Sequence, residues 1–229
     1  MADIIKINEN TYRIEDGGVR FFVLEGSDCA LLIDTGMTTV NAKEIVQSIT
    51  SLPLKLLNTH ADPDHIAGNT AFESFFMSEK ERENLEIHNG TGEIIPVCDG
   101  DIINLGGREL QIIELFGHTP GSIAVLDKNA RILFGGDSIQ NGRIFMFGRM
   151  RNMNDYIKSL EELLKNHSGE FDEIYPSHAD IPVSPDLIPK LIEAAKSIQA
   201  KSASGKVTDF MGTQIMYYDF GFAGFLCDR

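Results

Sequence analysis

Six consecutive residues, from His60 to His65, hold two histidines and two aspartates, and this cluster constrains the fold more than any other part of the sequence. It follows an apolar run, Leu54–Leu57, that is typical of a short buried strand. A helical pattern starts near Ile66, so the cluster lies in a loop at the tip of that strand. In a helix, His60 and His65 would point in different directions and Pro63 would break the turn between them. We therefore expect an irregular loop whose side chains converge on one point.

A purely structural interpretation of the same residues stays open. Asp62 and Pro63 fit the N-cap and the first position of a helix, in which case the histidines would be incidental. The other polar residues that follow predicted strands decide between the two interpretations.

Composition excludes several kinds of partner. The 229-residue chain has a formal net charge of −14, whereas binding to a nucleic-acid backbone requires clustered lysine and arginine. No stretch approaches the run of about eighteen apolar residues that spans a membrane. The first residues lack the basic and apolar regions of a signal peptide, so we expect a cytoplasmic protein. Even glycine spacing, without a linker rich in Pro, Gly and Ser, favours one domain over residues 1–229.

The three cysteines, Cys29, Cys98 and Cys227, are widely spaced and lie outside any C-x-x-C motif. An odd number at such spacing argues against a disulfide framework, and none lies in a recognisable nucleophile motif. We expect buried free thiols.

Hydrophobic periodicity predicts an α+β chain. The first strands are separated by turn residues and are predicted at residues 4–7, 11–15, 19–25, 30–34 and 54–57. Helices are predicted at residues 39–49 and 67–76, with no assignment for residues 77–92. A second series of strands is predicted at residues 94–97, 101–105, 109–115, 122–126 and 131–134. The last elements are a helix at 155–165, a strand at 171–175, a helix at 185–201 with Ser184 as its N-cap, and one or two hairpins within 206–229.

Five predicted strand ends carry polar residues of the kind that bind metals. They deliver Asp34, the cluster at residues 60–65, His118 in G-H-T-P-G-S, Asp137 in G-G-D-S and His178 in P-S-H. Loops at one edge of a rigid sheet can bring such residues together. Two further histidines, His88 and His167, have no potential ligand at a suitable spacing, and we expect them at the surface.

The number of potential ligands indicates more than one metal ion. Three carboxylates and four histidines exceed the four ligands of a tetrahedral zinc. Two ions about 3.5 to 4 Å apart, bridged by a carboxylate and by a hydroxide derived from water, would use all seven and would supply a nucleophile at neutral pH.

The order of these motifs resembles the metallo-β-lactamase superfamily, including its glyoxalase II-like hydrolases. The resemblance extends from the opening strands and Asp34-Thr-Gly36 to His178, and it implies an αββα sandwich of two mixed sheets with helices on the outer faces. It also implies the ligands of the two ions. One ion would be held by His60, Asp62 and His118, and the other by Asp64, His65 and His178, with Asp137 bridging.

Asp62 departs from the family pattern, in which hydrolases usually carry a second histidine. Two divalent ions bring four positive charges, which three aspartates and a hydroxide balance; a histidine at position 62 would leave one positive charge. The more anionic set moves the metal preference from zinc toward iron or manganese. Zinc remains our first expectation, with iron or manganese as alternatives.

The resemblance implies a metal-dependent hydrolase of a small-molecule ester, thioester, lactone or amide. Asp64 would be the catalytic residue that holds or relays the proton of the nucleophile. Asp34 and Thr59 are expected to orient ligating imidazoles or to cap strand ends. Residues 144–147 are expected either to line an apolar pocket or to pack in the core.

Two other functions stay open. A di-iron redox enzyme is possible because flavodiiron oxygen and nitric oxide reductases also carry a carboxylate at the position of Asp62, although theirs is a glutamate. Those enzymes have a flavodoxin module, and no such module is expected after His178, so the electron donor would be another chain. The third possibility is a protein that binds metal without turnover.

Overall fold

Strands and short helices alternate along the chain in this computed structural model, which describes residues 3–38 and 41–229. The strands are β1 (Asp3–Asn8), β2 (Thr11–Asp16), β3 (Val19–Glu25), β4 (Ala30–Ile33), β5 (Leu54–Leu57), β6 (Ser74–Met77), β7 (Glu93–Pro96), β8 (Ile102–Asn104), β9 (Glu109–Glu114), β10 (Ile123–Asp127), β11 (Ile132–Gly136), β12 (Arg143–Met146), β13 (Glu173–Pro176), β14 (Lys206–Phe210), β15 (Thr213–Asp219) and β16 (Gly224–Cys227). The helices are α1 (Ala42–Ile49), α2 (Pro63–Ile66), α3 (Arg82–Ile87), α4 (Met153–His167) and α5 (Leu187–Gln199). Single 3₁₀ turns are formed by Asn69–Ala71 and Glu79–Glu81.

Two mixed sheets carry the polar strand ends. The first has the order β1 to β7, antiparallel from β1 to β4 and parallel from β4 to β7. The second has the order β13-β11-β10-β9-β8, with β13 parallel to β11 and the other pairs antiparallel. A further sheet, β12-β16-β15-β14, was not predicted as a separate sheet.

Alternation of buried side chains along the strands produces three apolar layers. Between the two large sheets, Phe22 on β3 packs with Ile112 on β9 and Phe134 on β11. On the outer face of the first sheet, Phe21 packs with helical residues that include Val46. The outer face of the second sheet packs against α4, α5 and residues of the third sheet. These layers confirm the predicted αββα sandwich.

Two assignments from the sequence were wrong. Residues 67–76 were predicted as a helix, but they form a 3₁₀ turn and then β6, which lies between β5 and β7. A short apolar run fits both periods, and here the parallel neighbours on both sides determine the strand. Residues 94–97 were placed in the second series of strands, whereas β7 pairs with β6 in the first sheet.

Smaller differences concern helix ends and thiols. The last long helix begins at Leu187 with Asp186 as its N-cap, instead of beginning at Pro185 after Ser184. The predicted start of the first helix, residues 39–40, lies outside the described residues. The three cysteines are free, and Cys98 is exposed rather than buried. None of the helices in the described ranges has the length and hydrophobicity that a membrane crossing needs. The assignment of residues 1–229 to one domain stays a prediction.

Candidate metal centre

The strand ends converge at one edge of the sandwich and bring the seven predicted ligand side chains together. They come from the loop and helix after β5, from the loops after β9 and β11, and from the loop after β13. Their potential ligand atoms form clusters in which all atoms lie within 4.8 Å of one another. The set consists of His60, Asp62, Asp64, His65, His118, Asp137 and His178.

The first ligand group contains His60, Asp62 and His118. The Nε2 atoms of His60 and His118 lie 3.5 Å and 3.4 Å from Oδ2 of Asp62. Both histidines are fully buried, and the Asp62 side chain is 13% exposed. This group therefore forms the closed side of the centre.

The second ligand group contains Asp64, His65 and His178. Oδ2 of Asp64 lies 3.2 Å from Nε2 of His178, and Oδ1 lies 3.8 Å from Nε2 of His65. The side chains of Asp64 and His178 are 29% and 22% exposed. A small molecule can therefore approach the centre from this side.

Asp137 lies between the two groups. Its Oδ1 is 3.3 Å from Nε2 of His65, and its Oδ2 is 3.4 Å from Nε2 of His178 and 3.7 Å from Nε2 of His118. The preceding Gly136 has φ +54, and a Cβ there would lie 3.2 Å from the Cβ of Thr59. A glycine at this position lets the chain turn closely enough to direct the carboxylate between both groups.

In each of the four imidazoles, Nδ1 makes a hydrogen bond to an oxygen atom outside the ligand set. The acceptors are the Thr59 hydroxyl for His60 (3.0 Å), Asp34 Oδ2 for His65 (2.8 Å), the Phe145 carbonyl for His118 (3.1 Å) and the Gly18 carbonyl for His178 (2.8 Å). A carbonyl can only accept a hydrogen bond, so Nδ1 of His118 and of His178 carries a proton. The Asp34 carboxylate also only accepts, and the Thr59 hydroxyl donates its own proton to Asp34, so the same holds for His65 and His60. All four Nε2 atoms are thereby directed toward the centre.

The donor atoms fit a metal centre because several of them lack any other partner. The Nε2 atoms of His60, His65 and His118, together with Oδ1 of Asp137, are buried and have no hydrogen-bond partner within the described part of the chain. Burying an unpaired polar atom costs free energy, so native proteins rarely contain such a cluster without a reason. Cations bound between these nitrogens and the aspartates would satisfy all of them.

The aspartates and imidazoles of the second side of the centre stabilise each other's charged forms. Burial alone would raise the pKa of the Asp137 carboxyl, but the imidazoles of His178 and His65 outweigh this and hold it well below its usual value. Burial would lower the pKa of His178, but Asp137 and Asp64 raise it to about 10. Because metal binding requires the neutral imidazole, it must displace a proton from this side of the centre.

In the first ligand group, the pKa values of the aspartate and of one histidine are both lowered. Burial would raise the pKa of the Asp62 carboxyl, but His60 and His118 hold it well below its usual value. Burial, followed by the charge of Arg151, lowers the pKa of His118. This imidazole is therefore neutral at pH 7 and ready to bind a cation.

Asp34 and Thr59 make the contacts expected of residues that orient ligating imidazoles. Asp34 has a left-handed backbone conformation (φ 65), which aspartate tolerates better than most residues. Its Oδ1 accepts a hydrogen bond from the Thr59 backbone N–H (2.7 Å), and its Oδ2 accepts one from the Thr59 hydroxyl (2.8 Å). One carboxylate thus holds His65 directly and His60 through the hydroxyl.

The loop around Asp62 combines both interpretations of its sequence. Pro63 is the first residue of the single-turn helix α2, and Asp62 is its N-cap. The Asp62 side chain makes no capping hydrogen bond, however, and faces His60 and His118 instead. The proline sets the helix start, and the aspartate remains available as a ligand.

Sequence analysis predicted no role for Glu81, which lies within residues 77–92, where no secondary structure was predicted. Its fully buried carboxylate accepts hydrogen bonds from the backbone N–H of Ala61 (2.9 Å) and of Gly121 (2.7 Å). It also accepts from Asn84 Nδ2 (3.1 Å). It therefore joins the loop of His60 to the loop of His118. The only signal was the S-x-x-E pattern that starts at Ser78, which predicts a helix start but not this contact.

Glu81→Gln is expected to weaken both the fold and the first ligand group. Glutamine keeps one acceptor oxygen, but its side-chain NH2 group cannot accept a hydrogen bond, so one of the two buried backbone N–H groups loses its partner. We expect the free energy of unfolding to fall by about 1–3 kcal/mol and zinc affinity to fall about 10- to 100-fold. Urea unfolding of the metal-free protein and zinc titration measure these effects.

Glu79→Gln is the matched control because Glu79 is exposed and pairs with Arg82. It should leave both quantities unchanged. Equal unfolding and zinc binding in Glu81→Gln and the parent protein would contradict the role given to this carboxylate.

Core packing, one of the two roles expected for residues 144–147, is seen for two of them. Ile144 and Met146 are buried in the core beside the second sheet, whereas Phe145 and Phe147 face the other side and contact the ring of Phe210, with centroids 5.2 Å and 5.7 Å away. The Phe145 backbone carbonyl also orients His118.

The two histidines expected at the surface lie outside the centre. His88 is half-buried at the end of α3. His167, also half-buried, ends α4 and pairs with Glu170 through Nδ1 at 2.7 Å.

Comparison with known proteins agrees with this geometry. The model of the family described as "Metallo-beta-lactamase superfamily" matches residues 14–178. The chain is 30% identical over 194 residues to a hydroxyacylglutathione hydrolase from Prochlorococcus marinus (strain NATL1A), covering 77% of this chain and 73% of that protein. It is 26% identical over 218 residues to the human acyl-coenzyme A thioesterase MBLAC2, covering 76% and 77%.

Among solved structures, a metallo-β-lactamase from Pontibacter korlensis superposes with a TM-score of 0.72 at 18% sequence identity. The match covers 86% of this chain and 99% of the other. At this identity the likeness concerns the fold alone.

Proposed function

Because the chain belongs to the metallo-β-lactamase superfamily, we propose that it is a metal-dependent hydrolase that uses a dinuclear centre to cleave small-molecule acyl compounds, with thioesters as the first substrate class. One observation carries the proposal. Three buried imidazole nitrogens without partners face the same aspartates, and each imidazole is oriented through its other nitrogen. Ester, lactone and amide substrates remain alternatives within the same chemistry.

The thioester preference is supported by the relatives. Their names, acyl-coenzyme A thioesterase and hydroxyacylglutathione hydrolase, both describe an acyl group carried by a thiol compound. The metallo-β-lactamases among the solved structures share the fold at low identity and therefore give no argument about the substrate.

The residues present would hold one cation in each ligand group, with Asp137 shared between them. Two divalent cations in these positions would acidify a water molecule and polarise the acyl carbonyl. Zinc is the metal we propose, since four imidazole nitrogens suit it well; iron and manganese are the alternatives.

Asp64 is the proposed catalytic residue of the chain. It is the most exposed of the three aspartates, and the imidazoles of His65 and His178 outweigh the effect of burial and lower its pKa. The carboxylate is therefore ionised at neutral pH and can accept a hydrogen bond from the attacking water. Burial of His60 and His65 keeps the opposite side of the centre free of solvent.

Elemental analysis combined with a substrate panel tests the proposal. After expression with added metals, we expect about two zinc ions per chain and release of free thiol from acyl-coenzyme A or hydroxyacylglutathione, with slower cleavage of simple esters and lactones. Chelation should abolish the activity, and zinc should restore it. His118→Ala should bind about one zinc ion and lose most activity, whereas the control His167→Ala should match the parent protein.

The same experiment distinguishes the second candidate, a di-iron redox enzyme. Asp62 is the residue that favours it, because a carboxylate in place of a histidine moves the metal preference of the ligand set from zinc toward iron. Iron content together with dioxygen consumption in the presence of a reductant, and no hydrolysis in the panel, would support that function and contradict ours.

A further inference from the structure

Arg151 is the one lysine or arginine whose side chain contacts a proposed ligand aspartate in the described ranges. Its Nη2 donates a hydrogen bond to Oδ2 of Asp62, and both side chains are only 13% exposed. The other carboxylate oxygen, Oδ1, accepts from Asn84 Nδ2 at 3.1 Å. Both oxygens of Asp62 are thus held by donors from outside the centre.

The backbone holds Arg151 in this position. Its N–H donates to the Gly148 carbonyl at 3.1 Å, and the N–H of the next residue, Asn152, donates to the Gly117 carbonyl at 2.8 Å. Gly117 directly precedes His118, and a Cβ at Gly117 would lie 2.2 Å from the backbone nitrogen of Tyr156. The segment that carries Arg151 is therefore fixed to the same loop that carries a proposed ligand.

The pairing changes the charge of the proposed centre. Two divalent ions and a hydroxide, together with three aspartates, sum to zero. Adding the guanidinium gives +1, which is the sum for a centre that has a histidine at position 62. A carboxylate oxygen has two lone pairs, so Oδ2 can accept from Arg151 and still bind a cation.

We propose that Arg151 is a positioning residue that lets Asp62 act as a ligand in place of histidine. It holds Asp62 Oδ2 toward the first ligand group, and it offsets the extra negative charge, so that the centre keeps a preference for zinc. This inference rests on the metal centre of the proposed function. The pair would let a chain carry aspartate at position 62 and still prefer zinc.

The neighbouring Arg149 provides a matched control. It lies two residues away but is 67% exposed and pairs with Glu83 at 2.8 Å, outside the centre. Arg149→Gln removes the same charge from nearly the same place in the sequence. It should not change metal binding.

A double-mutant cycle with metal readouts tests the inference. Asp62→His, Arg151→Gln and the double variant are loaded with zinc, and zinc affinity is measured by competition with a chelator. The ratio of zinc to iron and manganese is measured by elemental analysis after expression in medium that contains all three metals. Urea unfolding of the metal-free variants shows that each is folded.

We expect Arg151→Gln to lower zinc affinity at one of two sites by about 10- to 100-fold and to raise the share of iron and manganese. Asp62→His alone leaves the Arg151 guanidinium beside an uncharged histidine ligand, and it should also weaken zinc binding. The double variant should recover zinc affinity, so that the effects of the two single substitutions on zinc affinity are non-additive by about tenfold. Arg151→Lys, which keeps the charge, should retain part of the affinity.

Two results would overturn the inference while leaving the proposed function intact. Tighter zinc binding by Arg151→Gln would show that the guanidinium competes with the metal for Oδ2. Two zinc ions with parent affinity in Arg151→Gln would show that the pair has no effect on the centre. A parent protein that binds no metal would overturn both the inference and the proposed function.

Discussion

Asp137→Ala is expected to remove both metal ions and to lower hydrolytic activity by about 10³-fold or more, the effect of several kcal/mol of lost transition-state stabilisation. The carboxylate lies within 3.7 Å of imidazole nitrogens from both ligand groups, so its loss affects both. Without it, the four imidazoles would face two cations with only two aspartates. Metal content of the dialysed protein and thiol release under saturating substrate measure the two effects.

Asp186→Ala controls for the loss of an aspartate, because Asp186 is exposed at the start of α5 and lies outside the centre. It should bind two metal ions and retain parent activity. Retention of both ions by Asp137→Ala would show that this residue does not bridge the ligand groups.

Phe134→Ala is expected to lower the free energy of unfolding by about 3–5 kcal/mol. Phe134 is 1% exposed between the two large sheets, with ring centroids 5.0 Å from Phe22 and 5.9 Å from Tyr175. Removing the ring leaves a cavity that rigid sheets on both sides cannot fill. Urea unfolding of the metal-free protein measures the loss without the contribution of bound metal.

Two variants calibrate this result. Phe134→Leu retains most of the volume and should lose less stability than the alanine variant. Met211→Ala removes a side chain that is 91% exposed and should change the free energy of unfolding by less than about 0.5 kcal/mol. Equal stability of Phe134→Ala and Met211→Ala would show that the layer between the sheets does not stabilise the fold in this way.

Most strands could be predicted along the chain because their signals are local, whereas the αββα arrangement came from the resemblance to a known family. Turn residues separate the first strands, and nearly continuous apolar runs mark β3 and β10, which are buried on both faces. The error at residues 67–76 has a physical cause. Phe72, Phe75 and Phe76 are compatible with a helix or a strand, and only the presence of β5 and β7 on either side, which is not a local property, selects the strand.

The proposed ligands could be located because each follows a strand that ends at the same edge. That rule depends only on where strands end, so it found His178 more than a hundred residues from His60. The residues that hold the ligands could not be found in this way. Glu81 and Arg151 follow no metal-binding pattern, and their roles depend on distances to Ala61 and Asp62 that only the folded chain defines.

Anomalous diffraction from crystals grown with zinc tests the central claim most directly. We predict two peaks about 3.5–4 Å apart, one within bonding distance of His60, Asp62 and His118, the other of Asp64, His65 and His178, with Asp137 contacting both. A single peak, or none between His60 and His178, would contradict the dinuclear centre.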